Sequence, residues 1–359
     1  MTTLTSVILA VFSAAAPKPA ASPKIPAPIR SEFIFPPAAK PTPSCHASTI
    51  AETPNGEFVV AWFGGSGEGN KDVGIWMSRR QNGSWSVPVE VVHGAGPGGG
   101  RVPCWNPVLH QPTAGPLLLF YKIGPNPRSW RGFLTESRDG GRTWASAVPL
   151  PEGILGPIKN KPVALRGGEL LCGSSTENGG WRVHFERTPD LGRNWFRTSD
   201  LDNGKEVAAI QPAILVHADG RLQALGRSRQ ARVWESWSSD GGRTWSALTL
   251  TDLPNPDSGL DAVTLHDGRH ILVYNPSAKS RTPLALAVST DGRVWTRVRT
   301  LEDGQGEFSY PAVIQSTDGM IHVTYTWKRE SIQHAVLDPA DLVPEREAAA
   351  ADYRPRRPR

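Results

Sequence analysis

Five short segments of this chain end in one kind of turn, and the fullest copy, residues 137–144, reads Ser-x-Asp-Gly-Gly-Arg-Thr-Trp. It returns at residues 238–245, more loosely at 188–195, one residue shorter at 289–295, and in worn form at 78–85. The copies start 59, 51, 50 and 51 residues apart. A unit repeated at this period is the size of a propeller blade, which buries its apolar faces only by stacking on neighbours. In each turn the aspartate can accept hydrogen bonds from backbone N–H groups ahead of it, the glycines supply positive φ angles, and the tryptophan plugs inward as the next strand leaves. These duties are structural, and the turn by itself carries no chemistry.

A second repeat lies upstream of each turn. An apolar strand, a glycine-containing turn and another apolar strand recur as Gln211-Pro-Ala-Ile-Leu then Asp219-Gly-Arg, Asp261-Ala-Val-Thr-Leu then Asp267-Gly-Arg, and Tyr310-Pro-Ala-Val-Ile then Asp318-Gly-Met. Earlier copies begin at His46-Ala-Ser-Thr-Ile, Asn106-Pro-Val-Leu and Lys161-Pro-Val-Ala-Leu. Six starts predict an all-β chain, a six-bladed β-propeller of four-stranded antiparallel blades. The last blade lacks the repeated turn and ends near residues 332–337, so residues 31–34 are expected to complete it and close the ring. The residue heading each inner strand should reach the mouth of the central channel. That brings His46, Asn106, Lys161, Gln211, Asp261 and Tyr310 to one pocket. Six different hydrogen-bonding groups at equivalent positions exceed what a structural funnel needs, which points to a ligand site.

Composition agrees with many short strands joined by turns: 36 Gly, 33 Pro and 13 Trp in 359 residues. The expected organisation is a leader over residues 1–30, one propeller over 31–340 and a basic, disordered tail over 341–359. Residues 6–16 are apolar and Ala-rich and precede a Pro/Ala/Lys stretch, which looks like a signal peptide and implies a periplasmic or secreted protein. Beyond that stretch no apolar run is long enough to span a membrane. Cys45, Cys104 and Cys172 are odd in number and lack CxxC spacing, which argues against a disulfide framework or a zinc site. The net charge of +5 is mild, and the aromatic residues do not alternate with a basic stripe. Nucleic acid is therefore not expected as a partner, whereas an anionic sugar is.

The repeated turn resembles the Asp-box of the sialidase superfamily, and the resemblance runs over residues 44–327. It implies a glycan-active propeller whose members hold the sugar carboxylate with three arginines, attack with a tyrosine activated by a glutamate, and use an aspartate as acid/base. Carried over to this chain, Tyr310 stands where the family has its nucleophile. Arg232 resembles the second carboxylate-binding arginine, with Arg227 or Arg229 able to take its place, and Arg281 resembles the third. A guanidinium forks onto a carboxylate bidentately, which lysine cannot do. There are departures. Cys45-His46-Ala47 replaces the Arg-Ile-Pro motif of the first blade, Gln211 replaces the glutamate base, and Glu68 and Asp72 are the nearest acidic groups to the missing acid/base.

The expected activity is an exo-sialidase type hydrolase acting on an acidic glycan without cofactor or metal. Two alternatives stand beside it. A histidine and a tyrosine in an arginine-lined pocket suit β-elimination on a uronic acid, with His46 as base and Tyr310 as acid or the reverse. A non-catalytic glycan-binding propeller would keep the arginines alone. The candidate catalytic set is His46, Gln211, Asp261 and Tyr310. Arg229, Arg232, Arg281, Lys161, Asn106, Trp105 and Glu177 are candidates for substrate contact. Trp105 either stacks on a pyranose face or packs between blades, and Glu177 is a further acid/base candidate.

Overall fold

Short apolar strands that alternate with tight turns pair with their immediate successors, and here they form six antiparallel sheets. A computed structural model describes residues 29–345 apart from Pro97. Of the expected leader over residues 1–30 and tail over 341–359, residues 1–28 and 346–359 lie outside the described residues.

Blade 1 contains Ser44–Glu52, Phe58–Gly65, Gly74–Gln81 and Val89–Ala95, with the two-residue strands Ser84–Trp85 and Arg101–Val102 beside them. Blade 2 is Cys104–His110, Leu117–Ile123, Arg131–Ser137 and Val148–Pro149. Blade 3 is Val163–Ala164, Leu170–Thr176, Arg182–Thr188 and Phe196–Arg197. Blade 4 is Ala209–Val216, Leu222–Ser228, Arg232–Ser238 and Thr249–Pro254, and blade 5 is Asp261–Thr264, His270–Tyr274, Leu284–Ser289 and Thr296–Glu302. Blade 6 has Phe308–Gln315, Ile321–Trp327 and Ser331–Leu337, and its fourth strand is Arg30–Phe33. No described helix is long and apolar enough to cross a membrane.

The ring closes as its sequence suggested. Arg30 pairs with Val336 and Phe33 with Gln333 across antiparallel strands. The chain then buries Ile34 and Phe35, the latter against Trp62 of blade 1 with ring centroids 5.1 Å apart. Each such side chain contributes about 1.5–3 kcal/mol by leaving water, so the two ends of the chain are fastened by packing as well as by the ladder.

The repeated turns do what their residues allow. Asp139 Oδ1 accepts from the backbone N–H groups of Arg142 and Thr143, both at 2.9 Å, while Ser137 Oγ accepts from Gly141 N at 2.8 Å. Asp240 repeats the pattern with Arg243 and Thr244. Trp245 then stacks on Phe185 of the preceding blade, 3.7 Å between centroids and 8° between planes, and Trp195 meets Phe120 edge-on. In the worn first copy Ser78 bonds the Ser86 carbonyl, as Ser236 bonds that of Ser246 in blade 4. The apolar core sits between blades: one cluster joins Ala61 and Ile75 to Leu109 and Leu119 of the next blade. Cys45, Cys104 and Cys172 are free and buried.

Candidate active site

Four inner strands share a defect that builds the site. The pairing slips by one residue between His46 and Thr49, Trp105 and Val108, Ile210 and Ala213, and Ser309 and Ala312. The second residue of each slip is left-handed: Ala47 at φ 57°, Asn106 at 38°, Gln211 at 60° and Tyr310 at 52°. Such backbone is costly outside glycine and persists only where its surroundings enforce it. A bulge of this kind re-aims one side chain. Asn106, Gln211 and Tyr310 are therefore equivalent. Their counterpart in blade 1 is Ala47, and His46 matches Trp105 one place earlier.

Two of the expected axial residues lie elsewhere. Asp261 pairs with Val273 as Ala213 pairs with Leu225 and Ala312 with Thr324, so it stands two residues beyond the bulge position. Lys161 holds the corresponding place in blade 3, two residues before Val163, whose partner is Leu171. A two-residue offset keeps the side chain on the same face of the strand but moves it along the channel. There the two residues meet: Lys161 Nζ lies 3.0 Å from Asp261 Oδ2, which also accepts from Val313 N at 2.9 Å. Asp261 thus joins blades, and Lys161 borders a separate groove of about 400 Å3 lined also by Glu52, His110 and Gln315. Neither lines the pocket that holds Tyr310.

Lys159 and Gly259 approach Tyr310 in their stead. The Lys159 ammonium is 5.8 Å from the Tyr310 ring centroid and donates to Asn160 Oδ1, to the Leu260 carbonyl at 2.9 Å and to the Pro311 carbonyl. Burial pulls its pKa down to about 7, against the opposing charge of Asp261. A Cβ added at Gly259 would stand 3.2 Å from the Tyr310 ring, so glycine is what lets that ring lie flat there.

The cavity at the axis measures about 210 Å3. His46, Asn106, Gln211 and Tyr310 line it from the strand heads, and Trp105, Pro127 and Trp130 add an apolar wall. Arg227, Arg281 and Arg329 bring three guanidinium groups, and Glu68 and Glu177 bring two carboxyls. A larger groove of about 740 Å3 on the outer rim between blades 2 and 3, beside Leu134, Val148 and Leu191, contains none of these groups.

The three arginines come from consecutive blades. Arg227 is the penultimate residue of the second strand of blade 4, with its guanidinium carbon 5.4 Å from the Tyr310 centroid, and donates to the Asp257 carbonyl at 3.2 Å. Arg281 lies 5.5 Å from the same centroid and donates to Glu307 Oε1 at 2.8 Å. Arg329 occupies the left-handed turn before Ser331–Leu337, φ 57°, and donates to Glu307 Oε2 at 3.1 Å and Glu68 Oε2 at 2.6 Å. Glu307 therefore clamps two guanidinium groups at once. Burial pushes its carboxyl up, but the Ser309 hydroxyl and the two arginines more than offset this and hold it below the usual carboxylate range.

His46 is fully enclosed. Burial first, and then the charges of Arg329, Arg281, Arg227 and Lys159, hold its pKa well below the ordinary imidazole value, so it is neutral at physiological pH. Its ring lies 4.1 Å from that of Tyr310, centroid to centroid. His46 Nδ1 and Gln211 Oε1 are both buried without a hydrogen-bond partner. Burial raises the Glu177 carboxyl, against the pull of Arg227, and Glu177 accepts from Trp181 Nε1 at 3.0 Å. Trp105 both packs and lines: its Nε1 donates to the Gly124 carbonyl at 2.7 Å, and its ring meets Trp130 at 5.9 Å.

Arg232 lies outside the cavity. It begins the third strand of blade 4, away from the axis, and its exposed guanidinium pairs with Asp252 at 3.2 Å. Arg227 stands in the place considered for it. Arg229 is at the rim, exposed, over the Trp181 ring at 4.5 Å. Asp72 accepts from the Ser66 backbone and hydroxyl and does not line the cavity, whereas Glu68 does. Sequence reasoning passed over Arg329, Glu307 and Gly259; Lys159 was legible only as part of a loop, Lys159-Asn-Lys161, with candidates for sugar contact. For Arg329 the available signal was a Trp-Lys-Arg-Glu turn with no glycine, between two strands of the last blade. The assembled groups can hold a carboxylate bidentately, offer a phenol and a neutral imidazole side by side, and supply carboxyls at the edge.

The profile of the BNR repeat-like domain family matches residues 56–323. Among solved structures the chain is similar to the Hadza microbial sialidase Hz136, at 15% identity and TM-score 0.74 over 87% of this chain and 69% of that one. It is also similar to a protein of unknown function from Dyadobacter fermentans, at 17% identity and TM-score 0.71 over 86% and 99%. A third likeness is to the intramolecular trans-sialidase from Ruminococcus gnavus, at 13% identity and TM-score 0.69 over 86% and 98%. The search of curated proteins found no match. The chain belongs to the BNR repeat-like domain family and has the six-bladed propeller fold of the sialidases.

Proposed function

We propose that this protein is a sialidase-like carbohydrate-active enzyme that cleaves the glycosidic bond beside an acidic sugar. The observation that carries the reading is the convergence of Arg227, Arg281 and Arg329 around Tyr310. The guanidinium groups would take the sugar carboxylate by paired, charge-assisted hydrogen bonds. Tyr310 would attack the anomeric carbon as the bond to the leaving oxygen breaks. Its phenolic proton passes to neutral His46, and Glu177, whose carboxyl burial raises, gives a proton to the leaving oxygen; water then displaces Tyr310 from the anomeric carbon, its proton going to Glu177, and Tyr310 recovers its own from His46. Export from the cytoplasm, implied by the leader, fits an enzyme that meets glycans outside the cell.

One observation favours a second reading. Gln211 stands at the bulge position and cannot act as a base, while a neutral imidazole faces the phenol. In a uronic acid the same arginines would acidify the C5 proton. His46 would remove it and Tyr310 would protonate the departing oxygen, leaving a double bond between C4 and C5.

A panel of sialosides and uronate-containing oligosaccharides separates the readings by product. Hydrolysis of a sialoside gives free sialic acid with no new absorbance. Elimination gives an unsaturated uronate that absorbs in the far ultraviolet. Binding with neither product overturns both enzymatic readings and leaves a glycan-binding propeller.

A further inference from the structure

Beyond the three arginines of the cavity, a fourth guanidinium, that of Arg229, stands at its edge. Arg229 lies two residues after Arg227, and both stack on the same indole: the guanidinium carbons are 4.9 Å and 4.5 Å from the Trp181 ring. Trp181 is itself buried and anchored, its Nε1 donating to Glu177. Stacking fixes the plane of an arginine without using its five donors. Two acids, Glu177 and Asp257, lie near enough to feel the charge of Arg229, but neither accepts a hydrogen bond from it. Glu177 accepts from Trp181, and Asp257 lies 3.5 Å from Arg227. Among the described residues Arg229 makes no side-chain hydrogen bond or ion pair. It is an oriented cation at the mouth of a site already built for one acidic group.

We propose that Arg229 and Trp181 form a subsite for a second acidic group, so that the preferred ligand is an oligosaccharide carrying acidic groups on successive sugars. The first acid enters the cavity against Arg227, Arg281 and Arg329. Its volume of about 210 Å3, below the roughly 300 Å3 at which drug-sized pockets begin, holds little more than one sugar ring. The next sugar therefore lies at the rim, where Arg229 meets its acidic group and the exposed edge of the rim admits the chain. This rests on the acidic-sugar reading of the cavity and extends it to the neighbouring unit.

The test is binding measured by calorimetry, which needs no turnover. Sialyllactose is compared with disialyllactose, and a mono-uronide linked to a neutral sugar with a di-uronide of the same acid. The comparison uses the wild-type chain and Arg229→Gln. In the pair that binds, the wild type should prefer the diacid about tenfold, as one charge-assisted hydrogen bond implies. Arg229→Gln should lose that preference while its affinity for the monoacid stays unchanged. Equal affinity of the wild type for both members, or an equal loss for both in the variant, overturns the subsite. If neither pair binds, the acidic-sugar reading itself fails and the subsite falls with it.

Discussion

The imidazole of His46 leans on the phenol of Tyr310, with centroids 4.1 Å apart and planes tilted by 49°. One residue comes from the first blade and the other from the last, 264 positions later in the chain, and they touch only because the ring closes. With Gln211 unable to accept a proton, this contact sets a neutral imidazole against the Tyr310 ring.

Tyr310→Phe isolates the hydroxyl while preserving the ring that packs on His46. Turnover should fall at least about a hundredfold, as loss of a group acting in the transition state does. Affinity for the acidic sugar should remain within about threefold. Product release and calorimetry on the same preparation check both; unchanged turnover would remove Tyr310 from the mechanism.

Glu307 holds Arg281 and Arg329 with one carboxylate. Glu307→Gln keeps the shape and removes the charge, so the two guanidinium groups lose their common anchor. A bond to a charged group is worth about 1.5–3 kcal/mol, which predicts a KM raised roughly tenfold or more with kcat much less affected. Steady-state kinetics on the substrate found by the glycan panel reads the split.

At Gly259 the backbone φ is not positive, so alanine is allowed by the backbone, yet its Cβ would press on the Tyr310 ring at 3.2–3.3 Å. A shift of the phenol by a few tenths of an ångström should lower kcat by about tenfold, given that a 1 Å misplacement costs about a hundredfold. The melting temperature should move by no more than ~2 °C. A large drop in stability with unchanged kcat would contradict the positioning role.

Stability should fall as the solution is acidified. Burial first, with neighbouring positive charge, pulls His322 down to about 3 and His334 to about 4, and burial pulls His270 to about 4. His334 gains back part of this from Glu32 of the closing strand. These imidazoles titrate near 6.5 in the unfolded chain. Above that value both states are neutral and nothing is lost. As the pH falls from 6.5 towards 4 the unfolded chain takes protons that the folded one refuses, and stability declines until the folded groups titrate too. The melting temperature should drop by ~5 °C or more between pH 7 and pH 4.5, measurable by circular dichroism. A flat profile would show that these histidines titrate alike in both states.

Six blades, four strands in each, and closure by a strand from the N-terminal side were all legible in the sequence, because the signals are local. Asp-Gly-Gly-Arg-Thr-Trp folds its own turn, and an apolar strand beside Asp-Gly finds its neighbour a few residues away. Of the six residues assigned to the channel mouth, His46, Asn106, Gln211 and Tyr310 line one cavity. Lys161 and Asp261 do not, because a short run of small and β-branched residues marks a strand without marking where its bulge falls. Depth along the channel depends on that count. Arg232 was placed by its distance from a turn, but distance along a strand does not say which of four strands faces the axis.

The amino-acid order alone determined the architecture and the tyrosine at the head of the sixth inner strand, since turn chemistry and strand alternation act over a few residues. Only the packing of one blade on the next decided that Arg329, from a glycine-free turn, completes a set of three guanidinium groups and that Glu307 pins two of them, and only the closed ring that His46 meets Tyr310. Those relationships join side chains that lie far apart in the chain, and radial packing brings them together where no local pattern could register them.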